Sequence, residues 1–266
     1  MSFYGRTEEL NTLEKWIIQD QCRLITILGL PGAGKTSLVL HLIDSIKTQF
    51  QSVIYRSLCF SPTLDTTLTN ILQILSQSSD IASTTDAKLC QLLNSLRQHR
   101  CLLIFDDIET LFASRKLAGQ YKSGYEDYQL FFKQIAEISN SSCVILISSE
   151  KPREICHIKK ESYPVHSLIL RSLGMASKNI LQEYQLSDEE HWESLINAYE
   201  GNPLWLEITA TLIQELFTGR VSEFCQYNSL ILDESIQNQL NQQFERLTDL
   251  ELLIITEIAQ ENQPTS

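Results

Sequence analysis

A chain of 266 residues that is 43% hydrophobic and 20% charged has the composition of a folded globular protein, and is long enough for one large α/β domain or two smaller ones. Its formal charge of −12 argues against a general nucleic-acid or anionic-membrane surface, because either partner needs a basic field. Seven cysteines without a CxxC pair, no apolar run of about 18 residues and no secretory leader point to a reducing, cytoplasmic setting with buried free thiols.

Residues 3–19 open with Phe3-Tyr4-Gly5-Arg6 and continue as a helix with Leu10, Leu13, Trp16 and Ile17 on one face. Local sequence leaves two readings. Either this is a packing helix in front of a sheet, or Phe3 and Tyr4 form an adenine-side lip that Arg6 fixes. Leu24 to Leu28 is a continuous apolar run, read as a buried strand. It breaks into Gly29-Leu30-Pro31-Gly32-Ala33-Gly34-Lys35-Thr36 and then a helix with Leu38, Val39, Leu42, Ile43 and Ile46 on one stripe. This is the G-x-x-x-x-G-K-[ST] spacing of a phosphate-binding loop in its strand–loop–helix context. Glycines let main-chain N–H groups wrap a polyphosphate where a Cβ would block the approach. The helix adds its positive dipole end. The candidate binding residues are therefore Pro31, Gly32, Ala33, Gly34, Lys35, Thr36 and Ser37, with Lys35 as the point charge and the Thr36 hydroxyl as a Mg²⁺ ligand.

Ser52 to Leu58 alternates like a second strand, and helical patterns follow around 64–77 and 85–98. Cys101-Leu102-Leu103-Ile104-Phe105 then runs into Asp106-Asp107-Ile108-Glu109. An acid at the carboxyl end of a buried strand faces the crevice where open α/β sheets bind ligands. Asp106 is the candidate Mg²⁺ ligand, and either Asp107 or Glu109 the candidate general base for an attacking water. Residues 112–126 read as a loop, followed by a helix to Ile138. Cys143 to Ile147 is a fourth strand, leading into Ser148-Ser149-Glu150-Lys151-Pro152-Arg153, and His166 to Leu170 a fifth. Strands separated by helices imply a parallel sheet. Cys143 with Cys156-His157 matches no zinc spacing.

After Arg171 no strand is convincing. Helices are expected at 174–184, 188–198, 204–217 and 221–226, with Gly201-Asn202-Pro203 as turn and first-turn chemistry. Two more helical patterns, 235–247 and 250–258, precede a break in the apolar pattern, read as a cut through a third small domain. The expected division is a nucleotide-binding domain at 1–171, an α-helical subdomain at 172–230 and a truncated third domain at 231–266.

Together FYGRTEEL (3–10), GLPGAGKTSL (29–38), CLLIFDD (101–107), CVILISSEKPREI (143–155), LILRSL (168–173) and GNPLWLEITA (201–210) resemble the NB-ARC family of signal-transducing ATPases with numerous domains. The tail 242–259 looks like the opening helices of that family's winged-helix domain. The chain is most similar to bacterial, often cyanobacterial, members, which carry a counterpart of AGQYKSGYEDY (118–128) and usually continue into WD or helical repeats. The resemblance implies a P-loop NTPase core with a five-stranded parallel sheet of order 5-1-4-3-2. It implies Tyr4 and Arg6 beside adenine and ribose, and Pro203 closing over the base from the helical subdomain. The ligands implied are ADP or ATP with Mg²⁺, and the partners a second copy in the ATP state and a repeat sensor beyond this segment. The implied activity is a switch with slow hydrolysis. The alternatives weighed beside it are a vigorous AAA+-like oligomeric ATPase and an ADP-binding scaffold without hydrolysis. One departure stands out: related bacterial sequences carry T-S-R-E-K-P where this chain has Ser149 in place of the arginine. Serine cannot replace a guanidinium's charge, so γ-phosphate sensing is weakened while ADP binding is not.

Overall fold

Five apolar runs form one sheet in the computed structural model, which describes all residues except 1–2, 76–80, 158–163, 227–232 and 261–266. The strands are β1 Leu24–Leu28, β2 Ser52–Ser57, β3 Cys101–Asp106, β4 Cys143–Ser148 and β5 Val165–Ile169. Their order is β2-β3-β4-β1-β5, every pairing parallel, which is the expected order read from the other edge. The period of two along each strand sorts the core. Leu103 and Phe105 of β3 join one apolar cluster, while Leu102 and Ile104 join the other.

Helices α1 (Thr7–Glu14) and α2 (Lys35–Ile46) cover the face that receives Leu102 and Ile104. The first helix does not run on regularly to residue 19. It widens into a π-turn, Lys15–Gln19, which buries Ile17. Beside it Trp16 stacks on His166 of β5 at 4.5 Å. Helices α3 (Leu64–Leu75), α4 (Thr85–Gln98) and α5 (Asp127–Glu137) cover the other face. The helix expected to reach residue 77 is described only to Leu75, since 76–80 lie outside the described residues.

Residues 112–126 are more than a loop. Phe112 and Tyr121 form an isolated antiparallel bridge. The hydroxyls of Tyr125 and Tyr128 donate to the carbonyls of Ser61 and Pro62 at 2.7 and 3.0 Å. Gly119, at φ +75°, lies so close to Lys151 that a Cβ would stand 2.1 Å from its carbonyl oxygen. Tyrosine rings packed into the core thus strap this segment across the sheet, and their hydroxyls bond partly buried carbonyls.

The strap also buries a carboxyl. Glu154, on the short helix α6 (Arg153–His157), is 4% exposed. One oxygen accepts the Tyr121 hydroxyl at 2.7 Å and the other has no partner. Burial pushes this carboxyl up to about 7. An unfolded glutamate titrates near 4.3. Between those values the folded state holds a proton that the unfolded state has released, so stability falls as pH rises through that window. At about 1.4 kcal/mol per unit the full loss is of order 4 kcal/mol. Glu154→Gln is expected to remove that slope. Denaturant midpoints at pH 5 and pH 8 check this, and parallel profiles for the two proteins would contradict it.

The remaining helices gather around a separate cluster. They are α7 (Lys178–Glu183), α8 (Trp192–Ala198), α9 (Pro203–Phe217), α10 (Val221–Cys225) and the start of α11 (Glu234–Phe244), packed about Leu181, Trp192, Tyr199 and Leu206. Asn202 caps α9, its side chain accepting from the Trp205 N–H at 3.4 Å, and Pro203 fills the first helical position. Helix α11 ends at Phe244 and is followed by a turn, not by helix to 247. Helix α12 (Asp249–Gln260) has no buried residue. Cys22, Cys101 and Cys143 are buried as expected, but Cys59 and Cys90 are exposed. The side chains of Cys156 and His157 lie outside the described residues. No described helix is long and apolar enough to cross a membrane.

Candidate functional site

The site begins where β1 ends. Gly29 passes so near β5 that a Cβ would stand 2.7 Å from the Leu170 carbonyl oxygen. Gly32 and Gly34 then take φ +77° and +87°, conformations that disfavour any side chain. Gly34 caps α2 and offers no side chain to its first amides, so those N–H groups stay free for a ligand. Lys35 bends back over the loop, its Nζ donating to the carbonyls of Gly29 and Leu30 at 2.9 and 3.1 Å. Burial lowers the Lys35 pKa, while the carboxylates of Glu109, Asp106 and Asp107 oppose that shift. Lysine, loop and acids line one cleft of about 340 Å³. Uncapped amides, a desolvated cation and glycines at positive φ fit a polyphosphate.

The acids at the end of β3 have separate surroundings. Asp106 is 5% exposed, and one of its oxygens accepts both the Thr36 hydroxyl and the Tyr55 phenol at 2.7 Å. Its other oxygen accepts the Asp107 N–H at 2.8 Å. Asp107 turns through φ +61°, and its carboxylate takes the Ser57 hydroxyl at 2.6 Å. Glu109, in the 3-10 turn Ile108–Leu111, lines the cleft with one buried carboxylate oxygen that has no partner. Thr36 and Asp106 are thus the pair that would hold Mg²⁺, which takes one or two protein ligands beside phosphate oxygens. Asp106→Asn is expected to leave the ADP-induced thermal shift without Mg²⁺ unchanged and to erase the further shift that millimolar MgCl₂ adds. An equal Mg²⁺ increment in both proteins would contradict that role.

The N-terminal segment and the helical body close the other end. Phe3 stacks on His41 of α2 at 4.4 Å. Arg6 ties three pieces together, donating to Glu9 at 2.9 Å and to the carbonyls of Ala33 and Arg171. Tyr4 donates to Glu183 of α7 at 2.9 Å. A narrow slot runs between Tyr4, Arg6, Ala33, Ser37 and Pro203. Pro203 borders both this slot and the phosphate cleft. Beside it Asn202 donates from Nδ2 to the Pro31 carbonyl at 2.9 Å. Every binding residue expected from the sequence therefore borders one of two joined cavities or shapes the loop between them. Tyr55, Leu173, Ile180 and Glu207 were not anticipated there. Glu207 alone had a local signal, one turn beyond Pro203 on α9.

At the exit of β4 the Ser149 hydroxyl is buried without a partner. Arg246, in the turn after α11, pairs through Nε with the Glu150 carboxylate and donates from Nη2 to the Glu109 carbonyl at 2.9 Å.

The family model of the NB-ARC domain matches residues 6–133. An uncharacterised WD repeat-containing protein of Nostoc sp. (strain PCC 7120) is 38% identical over 281 residues, covering 99% of this chain. The chain spans only 22% of that relative's length. Among solved structures, a signal transduction ATPase with numerous domains and a tetratricopeptide-repeat sensor from Pyrococcus horikoshii aligns with TM-score 0.55 at 16% identity. That alignment covers 77% of this chain and 29% of the other. A Walker-type ATPase of Pyrococcus abyssi aligns with TM-score 0.54 at 16% identity, covering 81% and 69%. At such identities the likeness is one of fold.

Proposed function

The chain carries an NB-ARC domain on a P-loop ATPase fold, and from that premise we propose that it is the ADP/ATP-operated switch of a signalling ATPase. ADP holds the sheet domain (1–171) and the helical subdomain (172–230) closed; ATP favours an open form that self-associates, and slow hydrolysis resets it. The observation that carries this reading is Pro203. It stands on the helical body yet borders the same cleft as Lys35, while its neighbour Asn202 bonds the loop carbonyl of Pro31. A ligand in that cleft touches both bodies, and a ligand moves such an equilibrium only through contacts that differ between the two states. Tyr4, Arg6 and Pro203 serve the base, residues 31–37 the phosphates, and Thr36 with Asp106 the Mg²⁺ ion. When bound, Mg²⁺ draws charge from phosphate oxygens. Of the two candidate bases, the free oxygen of Glu109 favours Glu109, since Asp107 is engaged by Ser57. The Nostoc relative bears WD repeats, so a repeat sensor beyond residue 266 is the proposed partner and the cytoplasm the proposed setting.

The test is the nucleotide released on denaturing the purified protein, followed by X-ray scattering and mass measurement with ADP and with a non-hydrolysable ATP analogue. Adenine nucleotide in the extract and a larger, heavier species with the analogue are expected; identical scattering and mass end the reading. Ser149 favours a second reading, an ADP-binding scaffold. Tight ADP binding with no measurable hydrolysis in the full-length protein with its sensor engaged selects it.

A further inference from the structure

The turn between α11 and α12 is built to hold one side chain still. Helix α11 ends with Arg246 and Leu247 N–H groups bonded back to Gln243 and Phe244. Helix α12 opens with a reciprocal capping box: the Thr248 N–H donates to the Glu251 carboxylate at 2.8 Å, and the Glu251 N–H to the Thr248 hydroxyl at 3.3 Å. Between these anchors Arg246 reaches the carboxyl end of the sheet. Its carbonyl accepts the Arg115 N–H of the strap at 2.9 Å. Its guanidinium, with the side chain 17% exposed, bonds the Glu150 carboxylate after β4 and the Glu109 carbonyl after β3. Glu150 in turn accepts the Gly119 N–H of the strap at 3.4 Å. One fork-shaped cation therefore joins the loops that follow two adjacent central strands, a geometry an ammonium cannot copy.

Two consequences follow. The carbonyl that Arg246 holds belongs to Glu109, whose side chain lines the cleft with an unpartnered oxygen. The carboxylate that it neutralises follows Ser149, whose buried hydroxyl has no partner among the described residues.

We propose that Arg246 is a positioning residue for nucleotide hydrolysis: docked from the third segment, it fixes Glu109 in the cleft and cancels the charge of Glu150 at the exit of β4. The inference rests on the switch reading of the same site. Arg246→Ala should lower the single-turnover rate on ATP by about tenfold or more, the loss expected for one charge-assisted hydrogen bond. The dissociation constant for ADP should stay within about twofold, because ADP lacks the phosphate those loops face. Arg246→Lys, which keeps the charge and loses the fork, should fall between. The affinity ratio of a non-hydrolysable ATP analogue to ADP should drop in Arg246→Ala and return when Glu150→Gln is added, while turnover stays low.

An unchanged rate, or a rate loss matched by an equal loss of ADP affinity, overturns the proposal. Should the parent chain show no turnover, the affinity ratio decides, and an unaltered ratio overturns it. If Lys35→Ala abolishes nucleotide binding while Arg246→Ala changes nothing, this inference falls alone. A parent chain that binds no adenine nucleotide removes the switch reading with it.

Discussion

Replacing Lys35 by alanine is expected to abolish the thermal stabilisation that ADP confers. A ligand that binds only the folded state adds RT ln(1 + [L]/Kd), about 2.7 kcal/mol at a hundred times Kd. For a chain of this size that is a rise in Tm of roughly 5–10 °C. Lys35 stands in a half-buried loop and bonds the carbonyls of Gly29 and Leu30. Three carboxylates, Glu109, Asp106 and Asp107, share its field. Without the cation those acids face the incoming phosphates unopposed. Losing a charge-assisted contact in such a place costs about 1.5–3 kcal/mol, or roughly ten- to hundredfold in Kd. A hundredfold loss leaves the ligand near its Kd and the stabilisation near 0.4 kcal/mol, about a degree. Differential scanning fluorimetry of both proteins at one ADP concentration reads this directly. An undiminished shift in Lys35→Ala would place the nucleotide elsewhere.

The parts of this site that were legible in the sequence are those whose chemistry is local. Residues 29–36 show the spacing of a phosphate-binding loop, because glycine, lysine and threonine must stand at fixed offsets along one turn. Asp106 was legible because a buried strand that ends in an acid has one sensible place to point it. The layering followed from apolar runs too short for helices. What sequence could not show depends on register and on long closures. Tyr55 meets Asp106 across 51 residues only because β2 pairs with β3 in one alignment, with Ser57 opposite Asp106. Arg246 reaches Glu150 and Glu109 across 96 and 137 residues, and nothing in its own neighbourhood marks it. The strap at 112–126 looked like loop because its order comes from tyrosine hydroxyls on distant carbonyls, not from a periodic pattern.

Gly32→Ala is expected to force the two bodies apart even without nucleotide. The glycine sits at φ +77°, which costs an L-residue about 1–2 kcal/mol. The larger effect is steric. A Cβ there would stand 2.6 Å from the Asn202 Oδ1 and 2.9 Å from the Leu204 Cβ. Asn202 is 4% exposed, caps α9 and bonds the Pro31 carbonyl, so it cannot swing away without losing both roles. The Leu204 Cβ is fixed to the first turn of the same helix. The helical body must therefore retreat as a unit. Gly34→Ala is the control, since its φ of +87° carries similar backbone strain while a Cβ would meet nothing within 4 Å. Both variants should bind ADP more weakly, by roughly tenfold or more from loop strain alone. Only Gly32→Ala should also raise the radius of gyration of the nucleotide-free protein in X-ray scattering. If it scatters like Gly34→Ala, the contact at Pro31 is not what keeps the helical body against the loop, and closure has to be set by the ligand alone.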